Sequence, residues 1–142
     1  MPTPDPKKKR RPRRKRGYSD SSLQELFRKS VKALRGDTCL RCVEEGATVK
    51  YPVEIHHVVH RGYKLLRYDP ENGIPLCHMH HQWADTGAGR DWCRSKVDKD
   101  YVDNLQGYGT IKSYLIEQGL SESEWLAMLK ERLSAIVKEN ER

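Results

Sequence analysis

Two short motifs carry the first recognisable chemistry of this chain. Cys39 and Cys42 form a CxxC, and Cys77 with His80 forms a CxxH further along. Zinc favours sulfur and imidazole ligands, and a two-residue gap lets a tight turn aim both side chains of a pair at one ion, so two such pairs can close a tetrahedral site. His78, His80 and His81 all follow Cys77 closely. His80 has the usual gap and is the assigned fourth ligand, since His78 lies too near Cys77 and His81 is wanted elsewhere. The alternative is a set of unpaired buried thiols beside a coincidental histidine. Cys93 stands outside both pairs and reads as a small core residue next to Trp92.

With those four set aside, His56, His57, Asn72, His81 and Asp85 remain. His57 to Asn72 is 15 residues, Asn72 to His81 is nine, and His81 to Asp85 is four. This pattern resembles the HNH endonuclease family, whose ββα-metal motif carries a histidine at the end of one strand, an asparagine in the following loop and a histidine on the helix. The resemblance covers residues 37–86. Its spacing is similar to that in the nuclease domains of DNase colicins, which have no cysteine zinc site, so small zinc-containing HNH proteins of phages and bacteria look closer. The family often has a cysteine where His80 stands.

The residue types suit that chemistry in their own right. Phosphodiester hydrolysis needs a base to deprotonate water, a cation to neutralise the phosphate and a means of stabilising the leaving oxygen. His57 is the candidate general base, because an imidazole accepts a proton near neutral pH. His56 and His81, with Asp85 one helical turn beyond His81, can bind one divalent cation, Mg²⁺ or another, because an i,i+4 pair lies on one helix face and can reach the same ion. The alternative for Asp85 is a solvated helix residue. Adjacent His56 and His57 point to opposite sides of a strand, which suits one ligand and one base. The resemblance makes Asn72 the loop asparagine that holds the two strands, and implies DNA cleavage to 5′-phosphate and 3′-hydroxyl ends. Asn72-Gly73 is equally good turn chemistry.

The elements that must position these groups are legible in outline. Ser22 with Glu25 signals a helix start, Leu23, Leu26, Phe27, Val31 and Leu34 share one face, and Gly36 ends it. Short β-prone runs follow, such as Thr48–His60. Helices are expected near Asp91–Asn104, near Thr110–Gln118, and from Ser121, where Glu124 completes a capping-box pattern ahead of Trp125, Leu129, Leu133 and Ile136. The expected class is α+β: a small ββα-metal core over 37–90 with a structural zinc, flanked by an N-terminal helix over 18–36 and a helical extension over 91–142.

Charge divides the chain differently. The net charge is +7, yet nine of the 27 basic residues lie in the first 17 positions, opposed there only by Asp5. Those nine are Lys7, Lys8, Lys9, Arg10, Arg11, Arg13, Arg14, Lys15 and Arg16. Four prolines among them make 1–17 a disordered basic arm that can release counterions from DNA or serve as a nuclear import signal. Residues 18–142 hold 18 basic and 19 acidic side chains. Arg61, Lys64 and Arg67 lie between the two halves of the motif and could contact a DNA backbone, and His60 could touch a phosphate or stand exposed at a strand end. The C-terminal helices suit the core or a protein partner. No apolar run suits a membrane span or a secretory signal. The chain therefore reads as cytoplasmic in a bacterial or phage-infected cell, or nuclear in a eukaryote. Two rival readings share these residues: a non-catalytic zinc-binding adaptor on nucleic acid, and a nuclease acting on RNA or branched DNA.

Overall fold

The computed structural model describes residues 20–47 and 52–140. The basic arm and the start of the β-prone run lie outside these. The N-terminal helix α1 spans Asp20–Arg35, so Ser22 sits inside it rather than at its start. Gly36 ends it as expected, with φ +89° and its N–H donating to Lys32 O at 2.8 Å. Leu23, Phe27 and Val31 are buried, whereas Leu34 is 53% exposed. The apolar row is buried as far as Val31, and Leu34 at its end faces solvent.

After the five-residue helix α2 (Leu40–Glu44) comes strand β1 (Val53–His57), and strand β2 (Gly73–Cys77) pairs with it antiparallel, His56 opposite Ile74 and His57 opposite Gly73. Between the strands lie helix α3 (Lys64–Arg67) and a 3₁₀ turn at Pro70–Asn72. Helix α4 (His78–Trp83) follows β2 without a break. Every residue of β2 is buried. Gly73 is needed there for space, since a Cβ would sit 2.5 Å from Val31 Cγ2 and 2.9 Å from Phe27 Cζ. Its φ of −110° makes no demand for glycine, so packing against α1 rather than turn geometry explains the residue.

The rest is helical: α5 (Gly87–Ser95), α6 (Lys99–Gln106), α7 (Ile111–Gln118) and α8 (Glu122–Asn140). The single helix expected near Asp91–Asn104 is therefore two. Thr86 caps α5 by accepting from Gly89 N–H, and Asp98 caps α6 by accepting from Tyr101 N–H at 3.2 Å, so the chain turns between them. Ser121 and Glu124 make the reciprocal capping pair at α8, at 3.1 and 3.3 Å. Leu129 and Leu133 of α8 pack on Leu23, Phe27 and Val31 of α1. No described helix is long and apolar enough to cross a membrane.

The corner between α4 and α5 depends on Gly89. A Cβ there would lie 2.1 Å from Trp83 O and 2.7 Å from Ala84 Cα, both backbone atoms that cannot rotate away. Gly89→Ala is expected to lower stability by about 3 kcal/mol, the upper part of the usual overpacking range. A denaturant melt with an unshifted midpoint would contradict this.

Candidate functional site

Cys39 precedes α2 as its N-cap and Cys42 lies within it, while Cys77 ends β2 and His80 sits one turn into α4. The fold brings all four together, buried, with their ligand atoms within 4.8 Å of one another. His80 Nδ1 is 3.3 Å from Cys39 Sγ, 3.4 Å from Cys42 Sγ and 3.3 Å from Cys77 Sγ, and the Cys42 and Cys77 sulfurs are 3.9 Å apart. Tetrahedral zinc bonds of about 2.3 Å to sulfur and 2.0 Å to nitrogen give edges of about 3.8 Å and 3.5 Å, so the cluster can hold a metal ion such as zinc. Burial raises the Cys39 thiol, but N–H groups of Cys77 and Cys42 bring it down to about 7. Burial and the hydrogen bonds shared with Cys39 and Cys77 push Cys42 up to about 12. The outer nitrogen of His80, Nε2, faces Glu45 Oε2 at 3.5 Å, an arrangement that fixes the ring with Nδ1 toward the thiols. Cys93 is buried outside the cluster, and burial with the Asp85 charge pushes its thiol up to about 11.

A second group of histidines, His56, His78 and His81, is linked by ring contact and by Glu54. His56 is buried at the end of β1, and its ring lies edge-on to His81, with centroids 5.0 Å apart. Burial is the main reason its pKa falls to about 4, the His81 charge adds to this, and Asp85 opposes it. A neutral imidazole presents a lone pair at neutral pH, as a metal ligand must. His81 Nδ1 lies 2.5 Å from Glu54 Oε2, and His78 Nδ1 lies 3.0 Å from Glu54 Oε1. Because a carboxylate only accepts, His81 donates from Nδ1 to Glu54, and Nε2 is the ring nitrogen that Glu54 does not engage. The same hydrogen bonds from His81 and His78 hold the Glu54 carboxyl below its usual range.

His57 turns to the opposite side of the strand. Its ring stacks on Phe27 of α1 at 4.9 Å and 19°, and its Nε2–H donates to Arg67 O at 2.9 Å. That bond leaves Nδ1 as the basic atom. Burial lowers its pKa despite the Arg67 carbonyl, and the Arg61 and Arg67 charges add to the lowering, so the ring is neutral and able to take a proton.

Asn72 is fully buried and touches neither imidazole through a hydrogen bond. Its Oδ1 accepts from Val59 N–H at 2.6 Å, and its Nδ2 donates to Val59 O at 3.1 Å and Leu66 O at 3.0 Å. Its carbonyl accepts from Val58 N–H at 2.9 Å. It clamps the connection that leaves β1 directly after His57.

One expectation is displaced. α4 ends at Trp83, so Asp85 lies in the turn before Thr86 caps α5, and it does not share a helix face with His81. It does line a cavity of about 280 Å³ with His56 and His57. Among the described residues His56, His81 and Asp85 do not form a second cluster as tight as the cysteine one. Arg61, Lys64 and Arg67 lie outside that cavity; Arg67 Nε donates to Arg61 O at 2.8 Å, and its backbone holds His57. His60 is exposed and lines the cavity, with Nδ1 accepting from Gly62 N–H. The nine arm cations lie outside the described residues.

Two acidic residues were given no role by sequence reasoning. The signal for Glu54 was its i,i+2 relation to His56, which puts both on one side of β1. Glu45, which faces His80, had no such mark. No protein-family model matches the chain, and neither a curated protein nor a solved structure does.

Proposed function

We propose that this protein is a metal-dependent endonuclease of the HNH type that hydrolyses DNA phosphodiester bonds. What carries the reading is the juxtaposition of the His56 and His81 rings, 5.0 Å apart, beside a neutral His57 on the adjoining strand position. Strand β1 supplies His56 and His57, and helix α4 supplies His81.

In this reading His57 Nδ1 takes the proton from water as the water attacks phosphorus. The Arg67 carbonyl keeps the Nε2 proton in place, and Phe27 fixes the plane of the ring. His56 and His81 Nε2 hold the cation, Glu54 steadies His81 from behind, and Asp85 lends a carboxylate to the same cavity. Held by these residues, a divalent cation would supply charge to neutralise the phosphate and the departing 3′ oxygen. Asn72 is a positioning residue, acting through the 58–66 connection rather than on substrate. The Cys₃His cluster is assigned a structural zinc.

The test is nicking of supercoiled plasmid by the full chain, with and without added Mg²⁺ or Mn²⁺. Cation-dependent nicking is expected, with Mn²⁺ at least as effective because imidazole ligands suit softer ions than Mg²⁺. His81→Ala should weaken Mn²⁺ binding in calorimetry by roughly 100-fold, the upper end of what outer ligand partners alone contribute. Unchanged Mn²⁺ affinity would remove His81 from the site. A second reading, a zinc-folded adaptor on nucleic acid, is favoured by one observation: only the cysteine cluster converges tightly among the described residues. Binding without nicking under every cation would select it.

A further inference from the structure

α5 carries two arginines four residues apart, Arg90 and Arg94, placed on one face by the helical repeat. Both are exposed, and among the described residues no ion pair or side-chain hydrogen bond engages either guanidinium. Three other arginines are held in ion pairs: Arg35 with Glu71, Arg41 with Glu45 and Arg132 with Asp69. Arg90 and Arg94 instead line the cavity of about 280 Å³ whose other polar walls are His56, His57, His60 and Asp85. Two cations face one carboxylate there.

We infer that Arg90 and Arg94 form a phosphate clamp, gripping the backbone of bound duplex DNA in the cavity that His56 and His57 line. A guanidinium fork matches the oxygens of a phosphodiester in a way a point charge does not, and an unpaired pair of forks loses no ion pair when the anion arrives. The clamp stands on a fixed support. Cys93, between the two arginines, is buried at 1% exposure, Thr86 caps the helix, and Gly89 lets it close onto the backbone of Trp83. The inference rests on the proposed nuclease reading for the identity of its ligand, and not on hydrolysis itself.

The experiment is fluorescence anisotropy of the full chain on a short labelled DNA duplex, across a salt series and without divalent cation. The R90Q/R94Q double variant should bind more weakly, with its log Kd against log salt slope shallower by about 1.8, or about 0.9 for each phosphate left without its cation. R90K/R94K should recover the slope, because it keeps both charges. Zinc content equal to that of the parent reports an intact fold. An unchanged slope in the glutamine pair overturns the clamp, as does equal loss in the lysine pair, which would mark packing rather than charge. Should the double glutamine variant lose zinc, Arg94→Gln alone decides: a drop of about 0.9 supports the clamp and an unchanged slope overturns it. A chain that never nicks plasmid but shows these slope changes keeps the clamp and loses the nuclease. A chain that nicks while its slope is unmoved does the reverse.

Discussion

Replacing His57 with alanine is expected to lower plasmid cleavage by about 1,000-fold, within the usual range for removing a general base. The substitution removes the nitrogen proposed to accept the proton and leaves the candidate cation ligands in place. It also removes a ring stacked on Phe27 and a hydrogen bond to Arg67 O, at a cost of about 2 kcal/mol. Total stability of about 5–15 kcal/mol for a domain absorbs such a loss, so the fold should survive. Zinc content and DNA affinity should therefore stay close to those of the parent while the rate falls. Cleavage at the parental rate would falsify the assignment of His57 as the base. A parallel loss of zinc would instead mean that the ring acts as core packing.

Cys77→Ser is expected to have the larger structural effect, taking the zinc content from one ion per chain to none and abolishing a cooperative melt. Cys77 joins three elements, since it ends β2, caps α4 and faces the cysteines of α2. α4 has six residues, far short of the roughly 12–15 at which an isolated helix becomes even marginal in water. Its shape must come from what holds its ends. Structural zinc contributes about 10–16 kcal/mol in small zinc-binding peptides, a figure as large as the whole stability of a domain. His80 and His81 are neighbours on that helix, so losing the first metal should disorder a ligand for the second. Metal analysis and circular dichroism on Cys77→Ser, with Cys93→Ser as the control that keeps zinc, would check this. A zinc-free Cys77→Ser protein that still melts cooperatively would show that apolar packing alone holds α2, β2 and α4 together.

The parts of the molecule that could be read from the chain are those set by short-range geometry. CxxC and CxxH pairs need only a turn each, and the capping pair of Ser121 and Glu124 is decided within one helical turn. What could not be read depends on contacts between distant segments. The helix expected near Asp91 starts at Gly87, and the need for glycine at position 89 shows only once Trp83 O is seen where a side chain would be. Gly73 looks like half of a turn until Val31 and Phe27 are seen pressed against it. Leu34 keeps perfect helical spacing and is still exposed, because periodicity says which side a residue takes and not whether anything lies opposite. Asp85 was four residues from His81 whatever the chain did, but a capped helix starting after Thr86 bent the path between them.

The ring of His57 leans on Phe27, and Phe27 belongs to a layer in which α1 packs against α8, the first and last described helices. The proposed chemistry is thus not portable. A fragment spanning 37–90 would carry every proposed metal ligand and the base itself, yet leave the base with open solvent where its wall had been. Grafting that fragment into another scaffold would transfer the ligands and not the posture of the ring. Any transplant of this centre has to bring both ends of the chain with it.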